Sequence, residues 1–126
     1  MKNTIIHRLR DISDEFPNNL AVIHQHHDID VYGKITYSQM IDTVDQCSKT
    51  IQKLVNVYGN QCSIVLMVSE GYELVVSWLS ILFSGNYFVP INPSDPKERI
   101  LNMISDVQPT LILCCSRVRE KICSIV

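Results

Sequence analysis

Apolar and polar residues come in blocks along the chain, and the blocks predict strands and helices in turn. Residues 63–68 and 110–115 are apolar at nearly every position, which is typical of strands buried on both faces of a parallel sheet. Tyr87 to Ile91 combines aromatic and β-branched residues and favours a third strand. Apolar spacing from Leu74 to Phe83 and from Pro96 to about Val107 predicts helices between these strands. The succession predicts right-handed βαβ units with a mainly parallel sheet, an α/β fold.

The flanking segments predict further elements. Near-helical apolar spacing over residues 4–15 predicts a first helix, and Leu20 to His24 and Ile35 to Tyr37 favour short extended segments. A continuous apolar stripe predicts a long amphipathic helix from Tyr37 to about Tyr58. Residues 116–126 have the spacing of a final helix.

Several helix ends carry recognisable capping signals. Thr36 and Gln39 have the spacing of a capping box, and Gly85 suits a left-handed helix end. Asp95 is predicted to cap a helix that begins at Pro96. The sequence thus predicts a proline-bounded crossover between the strand at Tyr87 to Ile91 and the strand at residues 110–115.

The apolar helix has little polar surface. It is predicted to be enclosed by protein on most sides, so Trp78→Ala is expected to cost about 3–5 kcal/mol. The longest apolar segment, Leu74 to Phe83, contains two serines and is too short to cross a bilayer of about 30 Å. No membrane span is therefore expected.

Composition narrows the possible partners. A chain of 126 residues with 46% hydrophobic residues is one globular domain or less. A formal net charge of -2 does not favour nucleic acid, and the spacing of Arg117, Arg119 and Lys121 is interpreted as a solvated tail. Five cysteines without paired metal spacing, and no signal peptide, predict reduced thiols in a cytoplasmic protein.

Two clusters have candidate chemistry. His24 and His26 would share one face of a strand, as a two-point metal site requires, but a polar strand end and turn is the favoured interpretation. The neighbouring polar residues are Gln25, His27, Asp28 and Asp30. Cys114 and Cys115 could suggest redox chemistry, yet adjacent strand residues point to opposite faces, so packing is favoured.

A ligand site after the first buried strand is the remaining candidate. Ser69, Glu70 and Gly71 lie between that strand and the apolar helix, where open α/β sheets often bind ligands. The favoured interpretation is structural: Ser69 caps the helix, and Glu70 and Glu73 interact with its dipole. The four glycines assemble neither a dinucleotide fingerprint nor a phosphate loop, and no nucleophile elbow is present.

Two motifs resemble those of a known superfamily. ITYSQM at residues 35–40 resembles the first core motif of adenylate-forming enzymes, and ILFSGNYFVPINPSDPKERI at residues 81–100 resembles the second. Residues 16–23 resemble the opening of the same enzymes. The superfamily includes acyl-CoA synthetases, luciferases and the adenylation domains of nonribosomal peptide synthetases. Ser84 stands where alanine is common and Asn92 where aspartate is common.

The resemblance implies residues 1–126 are a partial AMP-binding domain, the N-terminal part of a large subdomain. The family's phosphate loop, adenine-binding motifs, ribose-binding aspartate and catalytic lysine have no counterpart here. No catalytic, cofactor-binding or metal residue is therefore carried over.

The parent enzyme would use ATP and Mg²⁺ to activate a carboxylic or amino acid. It would then pass the acyl group to coenzyme A or a phosphopantetheine arm. The chain alone is expected to be inactive, with the missing remainder of the adenylation domain as its partner. A stand-alone, non-catalytic α/β interaction module is the alternative.

Overall fold

Helices and strands follow one another in the predicted order. The computed structural model describes residues 4–25, 32–55, 61–68 and 71–125. The helices are α1 (Ile5–Glu15), α2 (Tyr37–Val55), α3 (Tyr72–Phe83), α4 (Lys97–Val107) and α5 (Ser116–Ile125). The strands are β1 (Leu20–Gln25), β2 (Tyr32–Thr36), β3 (Ser63–Met67), β4 (Tyr87–Pro90) and β5 (Leu111–Cys114).

The three apolar strands form a parallel sheet in the order β4-β3-β5. Val65 of β3 is opposite Val89 of β4 on one side and Ile112 of β5 on the other. The predicted parallel arrangement is confirmed. Because the chain crosses from β4 over β3 to reach β5, successive crossover helices lie on opposite faces of the sheet.

Alternate residues of β3 supply the cores on these two faces. Ile64 and Leu66 pack in a cluster with Ile51 of α2 and Ile81 of α3. The second cluster lies against α4 and α5 and contains Val65, Met67, Ile100 and Ile122. The continuous apolar sequence of β3 is thus explained, since both of its faces are covered by helices.

A separate antiparallel pair, β1 and β2, accompanies the sheet, with Val22 opposite Ile35. Partly buried Ala21 and Val22 pack against a third cluster, formed mainly by α2 and α3. The sequence indicated two extended segments, but their pairing required the tertiary structure.

The first helix is attached to the second by a two-pronged ion pair. Arg10 Nη1 and Nη2 donate to the carboxylate oxygens of Asp45 at 3.1 and 2.6 Å. The Arg10 guanidinium also lies 5.2 Å from the centroid of the Phe83 ring. One side chain on α1 therefore contacts both α2 and α3.

The predicted capping box at α2 is confirmed. The Gln39 N–H donates to Thr36 Oγ1 at 3.2 Å, and the Thr36 N–H donates to Gln39 Oε1 at 3.0 Å. The predicted left-handed end of α3 is confirmed as well, with Gly85 at φ 85°. The N–H groups of Gly85 and Asn86 donate to the carbonyls of Leu82 and Ile81, which is a Schellman motif.

The predicted Asp95 cap of α4 is wrong. Helix α4 begins at Lys97 after Pro96, without a side-chain capping bond. Asp95 instead pairs with Arg99, whose Nε lies 3.6 Å from the Asp95 carboxylate. Helix α3 begins at Tyr72 with Gly71 as its N-cap, and Ser69, the predicted cap, lies outside the described residues.

Helix α3 is less enclosed than its composition suggested. Trp78 is 43% exposed and meets the Phe88 ring edge-to-face at 5.5 Å, so the prediction that it is buried is wrong. Amphipathic α4 also leaves Leu101 exposed. Over the described ranges, the structure contains no helix with the length and apolar character needed to span a membrane.

Candidate functional site at the carboxyl edge of the parallel sheet

A crevice opens where β3 and β4 end. The chain leaves β3 toward α3 on one face and leaves β4 toward α4 on the other, and such a divergence creates a cleft in open α/β sheets. The cleft has a volume of about 400 Å³. Its lining residues are Leu66, Val68, Leu74, Pro90, Ile91 and Asn92. Five of these are apolar, and Asn92 supplies an amide.

Strand pairing continues to the floor of this crevice. Leu66 is opposite Pro90, and the Ile91 N–H donates to the Leu66 carbonyl at 3.0 Å. Ile91 is buried, while Asn92 is exposed. The lining therefore offers an apolar floor and one polar group at the rim.

The turn that follows Ile91 is held by hydrogen bonds within the turn. Asn92 Oδ1 accepts from the Ser94 N–H at 2.9 Å, and the Asp95 N–H donates to the Asn92 carbonyl at 3.0 Å. Asparagine is well suited to such a turn because its short side chain hydrogen-bonds the backbone two residues on. The Asn92 amide thus has a structural role at the crevice rim.

Lys121 of α5 forms hydrogen bonds with the same turn. Its Nζ donates to the Pro93 carbonyl and, at 3.3 Å, to the Asp95 carbonyl. Lys121 is exposed, as a solvated segment implies, but it belongs to a helix and is bonded to this turn. No local pattern signals this role, because the bonds join residues 28 and 26 positions apart.

His24 lies beside the start of α3. Its ring Cδ2 is 3.5 Å from the position that a Cβ on Gly71 would occupy. Gly71 has φ 86°, a conformation that side chains disfavour, and it brings the backbone close to that ring. His26, His27, Asp28 and Asp30 lie outside the described residues, as do Ser69 and Glu70.

No metal centre is assembled in the described part of the chain. Within residues 4–25, 32–55, 61–68 and 71–125, no group of three or more His, Cys, Asp or Glu side chains could hold an ion. The hypothesis of a two-point metal site needs both His24 and His26. Of these two residues, His26 lies outside the described ranges.

The adjacent cysteines face opposite sides of the sheet, as predicted. Cys114 packs with the cluster under α4 and α5, and Cys115 packs with the cluster under α2 and α3. Burial raises the pKa of the Cys114 thiol, and nearby Cys115 and Cys123 raise it further. A thiol with a raised pKa is a poor nucleophile at neutral pH, which supports packing over redox chemistry.

Fold and crevice together define a doubly wound α/β protein with a ligand-type cleft at the carboxyl edge of its sheet. Residues 9–125 match the family described as AMP-binding enzyme. The chain belongs to this family.

The chain is similar in sequence to part of a much larger protein. It is 28% identical over 118 residues to a mycosubtilin synthase polypeptide from Bacillus subtilis. That match covers 93% of this chain and 4% of the synthase polypeptide. The chain thus spans a small part of that relative's length.

Two solved structures share the fold. The fatty acid AMP ligase from Legionella pneumophila superposes with a TM-score of 0.76 at 19% identity, covering 90% of this chain and 20% of the ligase. The N-terminal subdomain of Klebsiella oxytoca NpsA gives 0.72 at 20% identity, covering 87% of this chain and 26% of the subdomain. The chain therefore resembles the N-terminal part of adenylating enzymes.

Proposed function

We propose that the chain is the N-terminal scaffold of an AMP-forming ligase. The whole ligase would activate a carboxylic or amino acid with ATP as an acyl-adenylate and transfer the acyl group to a thiol such as coenzyme A or phosphopantetheine. The crevice between β3 and β4 carries the proposal. It is a cleft at the ligand-binding edge of a doubly wound sheet, in a member of the AMP-binding enzyme family.

The crevice by itself does not fit ATP with Mg²⁺. Among the residues that line it, none is a lysine or arginine that could pair with phosphate, and none is a carboxylate that could hold Mg²⁺. The groups that bind triphosphate and metal would therefore come from outside this lining. What this chain offers is an apolar wall, joined by the Ile91 to Leu66 bond and followed by a turn that Lys121 binds.

An ATP–pyrophosphate exchange assay tests the proposal in two parts. The 126-residue chain alone is expected to give background exchange with any acid. In a chimera, this chain would replace the 118 matched residues in the adenylation domain of the mycosubtilin synthase polypeptide. It is expected to retain exchange, with the unmodified domain as the positive control.

Two outcomes would contradict the proposal. Robust exchange by the 126 residues alone would mean that they contain a full site. A chimera that is folded by circular dichroism, yet gives no exchange with the acid that the unmodified domain accepts, would contradict a scaffold role in adenylation.

A stand-alone, non-catalytic α/β module is favoured by a different observation. In the described part of the chain, every buried side-chain nitrogen and oxygen has a hydrogen-bond partner. A self-contained module would be monodisperse and melt cooperatively. A scaffold that normally packs on further polypeptide would instead bind hydrophobic dye and tend to aggregate.

A further inference from the structure

Helix α1 contributes little apolar surface to the core. Of its 11 residues, all of which the structure describes, Ser13 is the buried one. Leu9 is partly buried and packs against the cluster formed mainly by α2 and α3, whereas Ile5 and Ile12 are exposed. Apolar burial stabilises a docked helix in proportion to the area removed from water. The apolar contribution to the docking of α1 is therefore small.

Arg10 attaches α1 to two other helices through a polar contact. Its guanidinium donates two hydrogen bonds to the Asp45 carboxylate of α2 and lies over the Phe83 ring of α3. Hydrogen bonding to that carboxylate raises the pKa of Arg10. The Arg10 and Asp45 side chains are 46% and 32% exposed, so water and salt reach the pair. An ion pair that is open to solvent weakens as ionic strength rises.

The turn that follows α1 is bound to the start of α2. The Tyr37 N–H donates to the Asn19 carbonyl, and the Ser38 N–H donates to the Pro17 carbonyl, each at 3.0 Å. These bonds satisfy two of the N–H groups that a helix leaves without intrahelical partners at its start. The turn at residues 17–19 is therefore an anchored point about which α1 can pivot.

We propose that α1 is a salt-sensitive strap, which Arg10 latches to α2 and α3 and which is hinged at residues 17–19. The strap is released as a unit while the parallel sheet stays folded. A free helix of 11 residues is marginal in water, so the released strap unfolds. Such a local opening costs less free energy than global unfolding because it breaks few contacts.

Release of the strap changes the surface of the protein. It uncovers the Phe83 ring, which lies under the Arg10 guanidinium and packs with the α2 and α3 cluster. It also removes Leu9 from that cluster and leaves the Asp45 carboxylate without the guanidinium. The latch therefore determines whether this apolar surface is available to solvent.

Native-state hydrogen exchange of the 126-residue chain, followed by nuclear magnetic resonance, tests the proposal. The amides of residues 9–15 report on α1, and those of residues 64–67 report on β3. Relative to intrinsic rates, the α1 amides are expected to exchange about 100-fold faster than the β3 amides or more, with a weaker dependence on urea. Raising NaCl from about 0.05 to about 0.5 M should speed α1 exchange about twofold or more, because salt screens the ion pair.

Two variants of α1 locate the latch. Arg10→Gln removes the charge from the pair and is expected to speed exchange of the α1 amides by about fivefold to tenfold at low salt. The same variant should lose the salt dependence. Arg8→Gln is the matched control, since Arg8 is an exposed residue of the same helix. It should leave α1 exchange within about twofold of the unmodified chain.

A double variant separates the pair from a general effect of charge. Asp45→Asn should also speed α1 exchange. Arg10→Gln combined with Asp45→Asn should exchange no faster than Arg10→Gln alone, because both changes remove the same interaction. Both side chains are partly exposed, so these variants are expected to fold.

Three results would overturn the proposal. The first is exchange of the α1 amides at the rate of the β3 amides with the same dependence on urea, which would mean that α1 does not open separately. The second is an equal effect of Arg8→Gln and Arg10→Gln. The third is additivity of Arg10→Gln and Asp45→Asn. None of these measurements depends on ATP–pyrophosphate exchange, so failure of the strap and failure of the proposed function are distinguishable.

Discussion

Asn86 Oδ1 accepts a hydrogen bond from the backbone N–H of Cys62 at 2.8 Å and thereby joins the entrances of β4 and β3. Both residues are buried, and 24 positions separate them. Asn86 Nδ2 also donates to Ser84 Oγ at 2.9 Å. Ser84, which departs from the alanine common in the family, therefore takes part in a satisfied buried network.

Removing this link should destabilise the sheet. Asn86→Ala removes the bond from the Cys62 N–H and the bond to Ser84 Oγ, and each buried hydrogen bond contributes about 0.5–1.5 kcal/mol. Urea denaturation followed by circular dichroism would measure the loss. Asn102→Ala, at an exposed position of α4, is the control and should change the free energy of unfolding by less than about 0.5 kcal/mol. Equal effects of the two changes would contradict a structural role for the Asn86 bond.

Gly85 is expected to be needed for its backbone conformation rather than for space. It has φ 85°, and no described atom lies within 4 Å of the position that an added Cβ would take. Gly85→Ala should therefore cost about 1–2 kcal/mol through backbone strain alone. Gly85→Asn should cost less, because asparagine tolerates the left-handed region. A thermal melt in which asparagine is as destabilising as alanine would refute this explanation.

The exposure of Trp78 lowers the expected cost of its removal. Trp78→Ala should reduce the free energy of unfolding by about 1–2 kcal/mol. The residue is half-exposed, so the change removes little buried area besides the edge-to-face contact with Phe88. Ile81→Ala, at a fully buried position, should cost about 2–5 kcal/mol. Far-UV circular dichroism is the appropriate probe, since Trp78 is the chain's one tryptophan. The reverse ranking would mean that Trp78 is covered in solution.

The Cys114 thiol should make stability depend on alkaline pH. Burial raises its pKa in the folded state above the ordinary value of 9.0, so the thiol binds its proton more tightly when folded. The stabilisation that this proton binding contributes to the free energy of unfolding is fully present below the unfolded-state pKa. It is lost as pH rises through the folded-state pKa. The free energy of unfolding should therefore fall less steeply above pH 9 in Cys114→Val than in the unmodified chain.

Exposed Cys47 provides a comparison for the accessibility of the Cys114 thiol. Iodoacetamide labelling at pH 8, followed by mass spectrometry, gives an independent check. Cys47 and Cys123 should react before Cys114, and all five cysteines should react in urea. Early labelling of Cys114 would contradict a partly buried thiol with a raised pKa.

Signals that act over a few residues were sufficient to predict much of this fold. The capping box joins residues three positions apart, and the Schellman end of α3 depends on one glycine. The opposite orientations of Cys114 and Cys115 follow from the alternation of a strand. The unbroken apolar run of β3 identified a strand buried on both faces, whereas β5, predicted to be the same, is only partly buried. Two motifs identified the superfamily. The motifs identified no site residue, and the crevice became visible only in the structure.

Tertiary structure alone decided which distant segments meet. The order β4-β3-β5, the pairing of β1 with β2, and the contact of His24 with Gly71 join parts of the chain that no local pattern links. Lys121 looked like a solvated cation until the fold brought it to the Pro93 carbonyl, 28 residues away. Trp78 looked buried because composition reports how apolar a helix is, whereas exposure depends on which of its faces another element covers. The sequence by itself determined the elements and the family. Packing between segments distant in sequence determined the crevice and its rim, because hydrogen bonds and contacts between distant residues leave no local pattern.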